Sequence, residues 1–158
     1  MGSEMARLLE AVDFAARKHK EQRRMDPEGT PYINHPIGAE TPRHRDTDTT
    51  FSEIEQRFGV EVRGVVEEVT DDKSLPKMER KRLQIERAPV CSHRAKLVKL
   101  ADKLHNLRDL NRCTPQGWSA ERVQEYFRWA ALVVSGLRGT SAALEGALQR
   151  LFEERGVA

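Results

Sequence analysis

Residues 95–112 read AKLVKLADKLHNLRDLNR, and no other stretch of the chain has a clearer period. Leu97, Leu100, Ala101, Leu104 and Leu107 recur at spacings of three and four, which places them on one stripe of an α-helix. Asp102, His105, Asn106 and Asp109 stand at i, i+3, i+4 and i+7, so they share the opposite face. A carboxylate, an imidazole and an amide on one helical face can ligate a hard or borderline cation and orient phosphate oxygens. A solvated polar face on an amphipathic helix is the alternative reading of the same spacing.

Helical signals continue on both sides. Downstream, Thr114-Pro115-Gln116-Gly117 reads as a turn and Ser119 as the cap of a helix with Val123, Tyr126, Phe127, Ala130, Val134 and Leu137 on its apolar face, ended by Gly139. A last helix carries Leu144, Leu148, Leu151 and Phe152 and stops at Gly156. Upstream, Ser74 is placed to cap a helix starting near Pro76, rich in Lys77, Arg80, Lys81 and Arg82 and stopping before Pro89. Thr50 and Glu53 form a capping box. Behind it Phe51, Ile54, Phe58, Val62, Val65, Val66 and Val69 share a face, with Gly59 as a weak point. Residues 4–20 begin the series, with Met5, Leu8, Leu9, Val12 and Ala16 apolar and a basic end whose cations suit the helix dipole. Between the first two helices, Ala39 to Thr49 shows no hydrophobic period and contains Pro42, so it reads as loop. Strand alternation is nowhere evident. The expectation is a compact, six-helix, single-domain all-α fold.

Composition narrows the function classes. The 158 residues fit one domain with a real core. Lys and Arg number 27 against 25 Asp and Glu, a net charge of +2, too mild to argue for nucleic-acid binding, and aromatic and basic residues do not interleave. No apolar run approaches the ~20 residues of a membrane span. The N-terminus does not read as a signal peptide, and Ala6 departs from the myristoylation pattern that Gly2 suggests, so neither is expected. Cys91 and Cys113 form no CxxC pair, so neither a disulfide scaffold nor a thiolate zinc site is expected. A cytoplasmic protein is the expectation.

Two further segments carry candidate chemistry. His35 precedes Pro36, which holds its backbone extended and gives the imidazole a rigid presentation. Arg23 and Arg24 can grip phosphate bidentately. Each has a plain alternative, a hydrogen-bonded loop histidine and a solvated helix end. Taken in order, Arg23-Arg24, Gly29-Thr30-Pro31-Tyr32-Ile33-Asn34-His35-Pro36, Val66-Glu67-Glu68-Val69-Thr70-Asp71-Asp72 and Lys96-Leu97-Val98-Lys99-Leu100-Ala101-Asp102-Lys103-Leu104-His105-Asn106 resemble the RelA/SpoT-type hydrolases of the HD superfamily, in their small stand-alone metazoan form. The resemblance covers nearly the whole chain except Ala39 to Arg45.

The resemblance implies a helical HD fold holding a manganese ion and removing the 3′-pyrophosphate of guanosine tetraphosphate with water. Such a metal lowers the pKa of its water and polarises the phosphorus centre. Residue by residue, His35 and Asp102 match metal ligands, Arg24 a phosphate contact and Tyr32 a neighbour of the base. Asn106 and Arg122 match substrate contacts, Lys77 is a further nucleotide contact, and Asp46 matches the acid of a Glu-Asp pair that positions the attacking water.

The chain also departs from the family. It has no adjacent His-Asp dyad, and residues 39–45 stand where the family carries about one and a half further helices. Arg45 occupies the place of the glutamate expected before Asp46, and His44 and Asp46 are too poorly spaced to replace the dyad. Two of four metal ligands are thus missing, which implies impaired metal binding and hydrolysis. Loss of the segment implies uncovered apolar surface around Val65, Leu100 and Leu104 and a tendency to self-associate. The alternatives are a non-catalytic nucleotide- or protein-binding relative arising as a splice variant, and a phosphatase acting on another phosphorylated nucleotide such as NADPH.

Overall fold

A computed structural model describes Phe14, Arg17 and residues 49–157. The chain divides into two compact units, Met1–Thr70 and Asp71–Ala158. Residues 49–157 form six α-helices and a short 3-10 turn, with no strand among the described residues, so the all-α expectation holds.

In the first unit, Phe14 and Arg17 are helical and Phe14 is buried, although the predicted stripe of residues 4–20 omitted it. Helix α1, Phe51–Phe58, starts where expected, because the Thr50 side chain accepts a hydrogen bond from the Glu53 amide at 3.1 Å. Helix α2 is Val60–Val69. The sequence reads these two as a single helix with a weak point, and the structure breaks it there. Gly59 has φ +90° and ψ 171°, a region essentially closed to residues with a Cβ. Arg63 bridges the break, pairing with Glu55 on α1 and, at 2.7 Å, with Glu67 on α2. Ile54 and Val66 are buried, and the Phe58 ring meets Phe14 edge-on at 5.6 Å.

The second unit contains α3 (Lys77–Arg87), the 3-10 turn Ala88–Val90, α4 (His93–Arg112), α5 (Ala120–Ser135) and α6 (Ala142–Glu154). Helix α4 packs on α5 and α6, and α3 packs on α5. Leu100, Leu107, Phe127, Val133, Leu137, Leu148 and Phe152 make the shared core. Truncating one of the large members to alanine costs about 2–5 kcal/mol in comparable cores. Serine caps begin three of the helices: Ser92, Ser119 and Ser141 accept from the amides of Ala95, Arg122 and Leu144. Each such cap is worth about 1 kcal/mol.

Several boundaries move. Ser74 does not cap α3; its amide and hydroxyl both donate to Asp72 Oδ1, closing an Asx-type turn, and Pro76 occupies the cap position without a side-chain bond. Helix α4 starts two residues earlier than the periodicity suggests, because Ser92 is the cap. Helix α5 ends at Ser135 rather than near Gly139. Gly136 is its C-cap and lies so close to the 3-10 turn that an added Cβ would sit 2.9 Å from Ala88 Cβ and 3.0 Å from Pro89 Cδ. Of the three residues expected to be uncovered, Leu100 is fully buried and Leu104 is 7% exposed, while Val65 on α2 is half-buried. Val60 and Val62 on α2 are exposed instead.

Candidate active site on helix α4

Helix α4 carries the described part of the predicted site. Asp102, His105, Asn106 and Asp109 are all half-buried, with Arg108 exposed beside them, so this face is not the fully solvated one that amphipathicity alone predicts. Asn106 Nδ2 donates to Asp102 Oδ2 at 3.3 Å, the i, i+4 contact the helix geometry anticipates. Lys103 Nζ reaches the same oxygen at 3.2 Å. Asp109 pairs with Arg112 at 3.5 Å.

The other two described candidates, Lys77 and Arg122, are exposed and belong to a wall of cations and rings. The Arg122 guanidinium lies 4.1 Å from the Trp118 ring centroid. Trp118, Tyr126 and Trp129 follow in a row, with centroids 6.1 and 5.2 Å apart. Lys81 Nζ lies 4.8 Å from Trp129 and 5.5 Å from Tyr126, and Lys103 Nζ lies 4.7 Å from Trp129. Burial holds the Lys81 ammonium below the ordinary lysine pKa; repulsion from Lys77 and Arg122 adds to this, with a further push from Lys103 that Glu125 opposes. Cations close enough to depress a neighbour's pKa create a positive local field suited to a polyanion such as a nucleotide phosphate chain.

The sequence reading missed Lys81, Lys103 and Trp129 as parts of this wall. A signal for Lys103 was present. It stands at i+3 from Leu100 and i+4 before Leu107, in the apolar stripe itself. Arg24, Tyr32, His35 and Asp46 lie outside the described residues. No group of three or more His, Cys, Asp or Glu side chains among the described residues is placed to hold a metal ion. Asp102 is the one described member of the expected ligand set, and its Oδ2 already faces an ammonium. The described donors therefore do not by themselves make up a divalent-cation site. No helix among the described residues is long and apolar enough to cross a membrane.

An all-helical fold with a half-buried carboxylate–amide pair on the longest of the described helices fits what the comparisons show: the chain belongs to the HD-domain family, whose pattern matches residues 39–131. Within that family its relatives are the guanosine-3′,5′-bis(diphosphate) 3′-pyrophosphohydrolases called MESH1. The human protein is 63% identical over 99% of both chains, and the zebrafish (Danio rerio) protein is 62% identical over 98% of this chain and 97% of its own. The solved structure of a metazoan ortholog of SpoT, described as hydrolysing ppGpp, superposes with a TM-score of 0.91 at 48% identity over 97% of each chain. The alignment with the human protein runs to 177 positions against 158 residues here, so at least 19 positions have no counterpart in this chain. HD-domain hydrolases are generally metal-dependent.

Proposed function

We propose that the chain is a guanosine tetraphosphate 3′-pyrophosphohydrolase by descent that recognises this nucleotide and hydrolyses it weakly. The observation that carries the recognition is near-complete coverage at 63% identity to the human enzyme. The cationic wall and the Asp102–Asn106 pair support it. In this reading Arg24, Lys77 and Arg122 hold phosphates, Tyr32 lies by the base and Asn106 orients a substrate oxygen. Asp46 stands near the attacking water without its glutamate partner. His35 and Asp102 are the two retained ligands for manganese. Four protein ligands are expected and two are present, so the ion is held loosely.

The positions missing from the alignment are assigned in this reading to the junction at residues 39–45, and residues 1–158 work as one shortened HD-type domain. The protein is cytoplasmic, with a phosphorylated guanosine nucleotide as its partner and neither nucleic acid nor membrane. Self-association through exposed apolar surface such as Val60 and Val62 belongs to the same reading.

The deciding experiment incubates purified full chain with manganese and guanosine tetraphosphate and follows pyrophosphate release beside nucleotide binding. Binding with little or no release is expected. Rapid release that Asp102→Ala abolishes would overturn the impairment, and absence of binding would overturn the recognition.

A further inference from the structure

Lys103 occupies a position in the core stripe of α4 where its neighbours are Leu100, Leu104 and Leu107, and it is 4% exposed. An ammonium taken that far out of water is costly unless it is paired. Its surroundings supply the compensation. The charged end lies 3.2 Å from Asp102 Oδ2, and the Trp129 ring centroid is 4.7 Å away. Adjacent residues on a helix do not face each other. The Asp102–Lys103 contact therefore requires the lysine chain to bend back along its own helix, and the indole face is a surface that can hold it there. Trp129 is itself fixed, since its Nε1–H donates to the Lys81 carbonyl at 3.1 Å across 48 residues of sequence.

We propose that Lys103 is the positioning residue of Asp102. Its ammonium, clamped against the Trp129 indole, holds the carboxylate in one rotamer. Asn106 donates to the same oxygen at 3.3 Å, so Oδ2 is held by two donors from one helix and the direction of the whole carboxylate is set. Trp129 on α5 thereby links the carboxylate of α4 to the backbone of α3, the helix that carries Lys77. This task accounts for a lysine standing in a leucine stripe. The inference rests on Asp102 being a site residue, as proposed above.

The primary test is the side-chain ammonium spectrum of the 15N-lysine-labelled full chain. One ammonium signal is expected to be protected from exchange, moved by the Trp129 ring current and coupled through its hydrogen bond to the labelled Asp102 carboxylate. Trp129→Leu should abolish the ring-current shift, and Asp102→Asn should remove the coupling and the protection. Wild-type protein without a protected ammonium, or one whose signal is unchanged in Asp102→Asn, would overturn the proposal.

Manganese alone is the second probe, with free Mn2+ read by electron paramagnetic resonance. Lys103→Met should change binding by roughly 10-fold or more, since it alters both the charge beside the carboxylate and its direction, and Lys103→Arg should return it towards the wild-type value. Equal binding in Met and wild type would count against positioning. If wild type itself binds no manganese, the metal reading of the proposed function fails by itself, and the ammonium spectrum decides the positioning separately.

Discussion

Glu145 shows how much one side chain can organise. Its carboxylate accepts hydrogen bonds from the backbone amides of Gly139, Thr140 and Ser141 at 2.9, 3.1 and 2.9 Å, gathering the turn before α6 onto the helix's first turn. Burial works to raise its pKa, but the three amide bonds together outweigh it and hold the carboxyl below its usual 4.5. A lowered folded-state pKa adds stability above the unfolded value, and that stability is lost as pH falls through the folded one. Glu145→Ala should therefore destabilise the protein by about 1 kcal/mol at neutral pH, as loss of a helix cap does. The gap between variant and wild type in urea titrations should close as pH drops below 4.5. Sequence could not show this clasp, because its donors are main-chain groups whose direction depends on the turn at Gly139. The Ser119 and Thr50 caps, by contrast, were legible, since each precedes its helix in the expected register.

At the scale of elements, two glycines of the Val-rich segment make opposite predictions. Gly59 needs its positive φ, and an added Cβ there would meet nothing within 4 Å, so any cost of Gly59→Ala is backbone strain, about 1–3 kcal/mol. Gly64 lies inside α2 with equally open surroundings, and Gly64→Ala should stabilise by about 0.8–1 kcal/mol through helix propensity. Chemical denaturation of the two variants side by side checks the pair. Equal signs would show that the α1–α2 break is not where the structure puts it. The hydrophobic period predicted both halves of this segment and gave Gly59 as its weak point. Period alone could not separate a bend from a break, because the apolar positions keep their spacing on either side. For α4 the period placed the stripe and the polar face but overlooked Lys103, because polarity was taken to exclude a residue from the core. Lysine satisfies both demands with an apolar stem and a charged tip.

For the whole molecule, the testable quantity is how firmly it holds a divalent cation. If, as proposed, His35 and Asp102 are the two ligands, a dissociation constant on the order of millimolar is expected. An equal concentration of manganese then adds about 0.4 kcal/mol of stability. For a chain of this length that moves Tm by about 1–2 °C. A thermal scan with and without the ion reads this directly, and a rise of about 10 °C would mean that further ligands complete the site. Family and fold class were legible because four separated blocks recur in order, whereas the wall of Lys81, Lys103, Tyr126 and Trp129 was not, since three helices bring it together. That wall also has an optical consequence. The chain has two tryptophans, and both the Arg122-covered Trp118 and the Lys103-contacting Trp129 belong to the unit of residues 71–158. Tryptophan emission therefore originates in that unit, since residues 1–70 contain no tryptophan. Setting its melting curve beside the far-ultraviolet dichroism of all the helices turns the protein's own fluorophores into a test of whether its two parts unfold together.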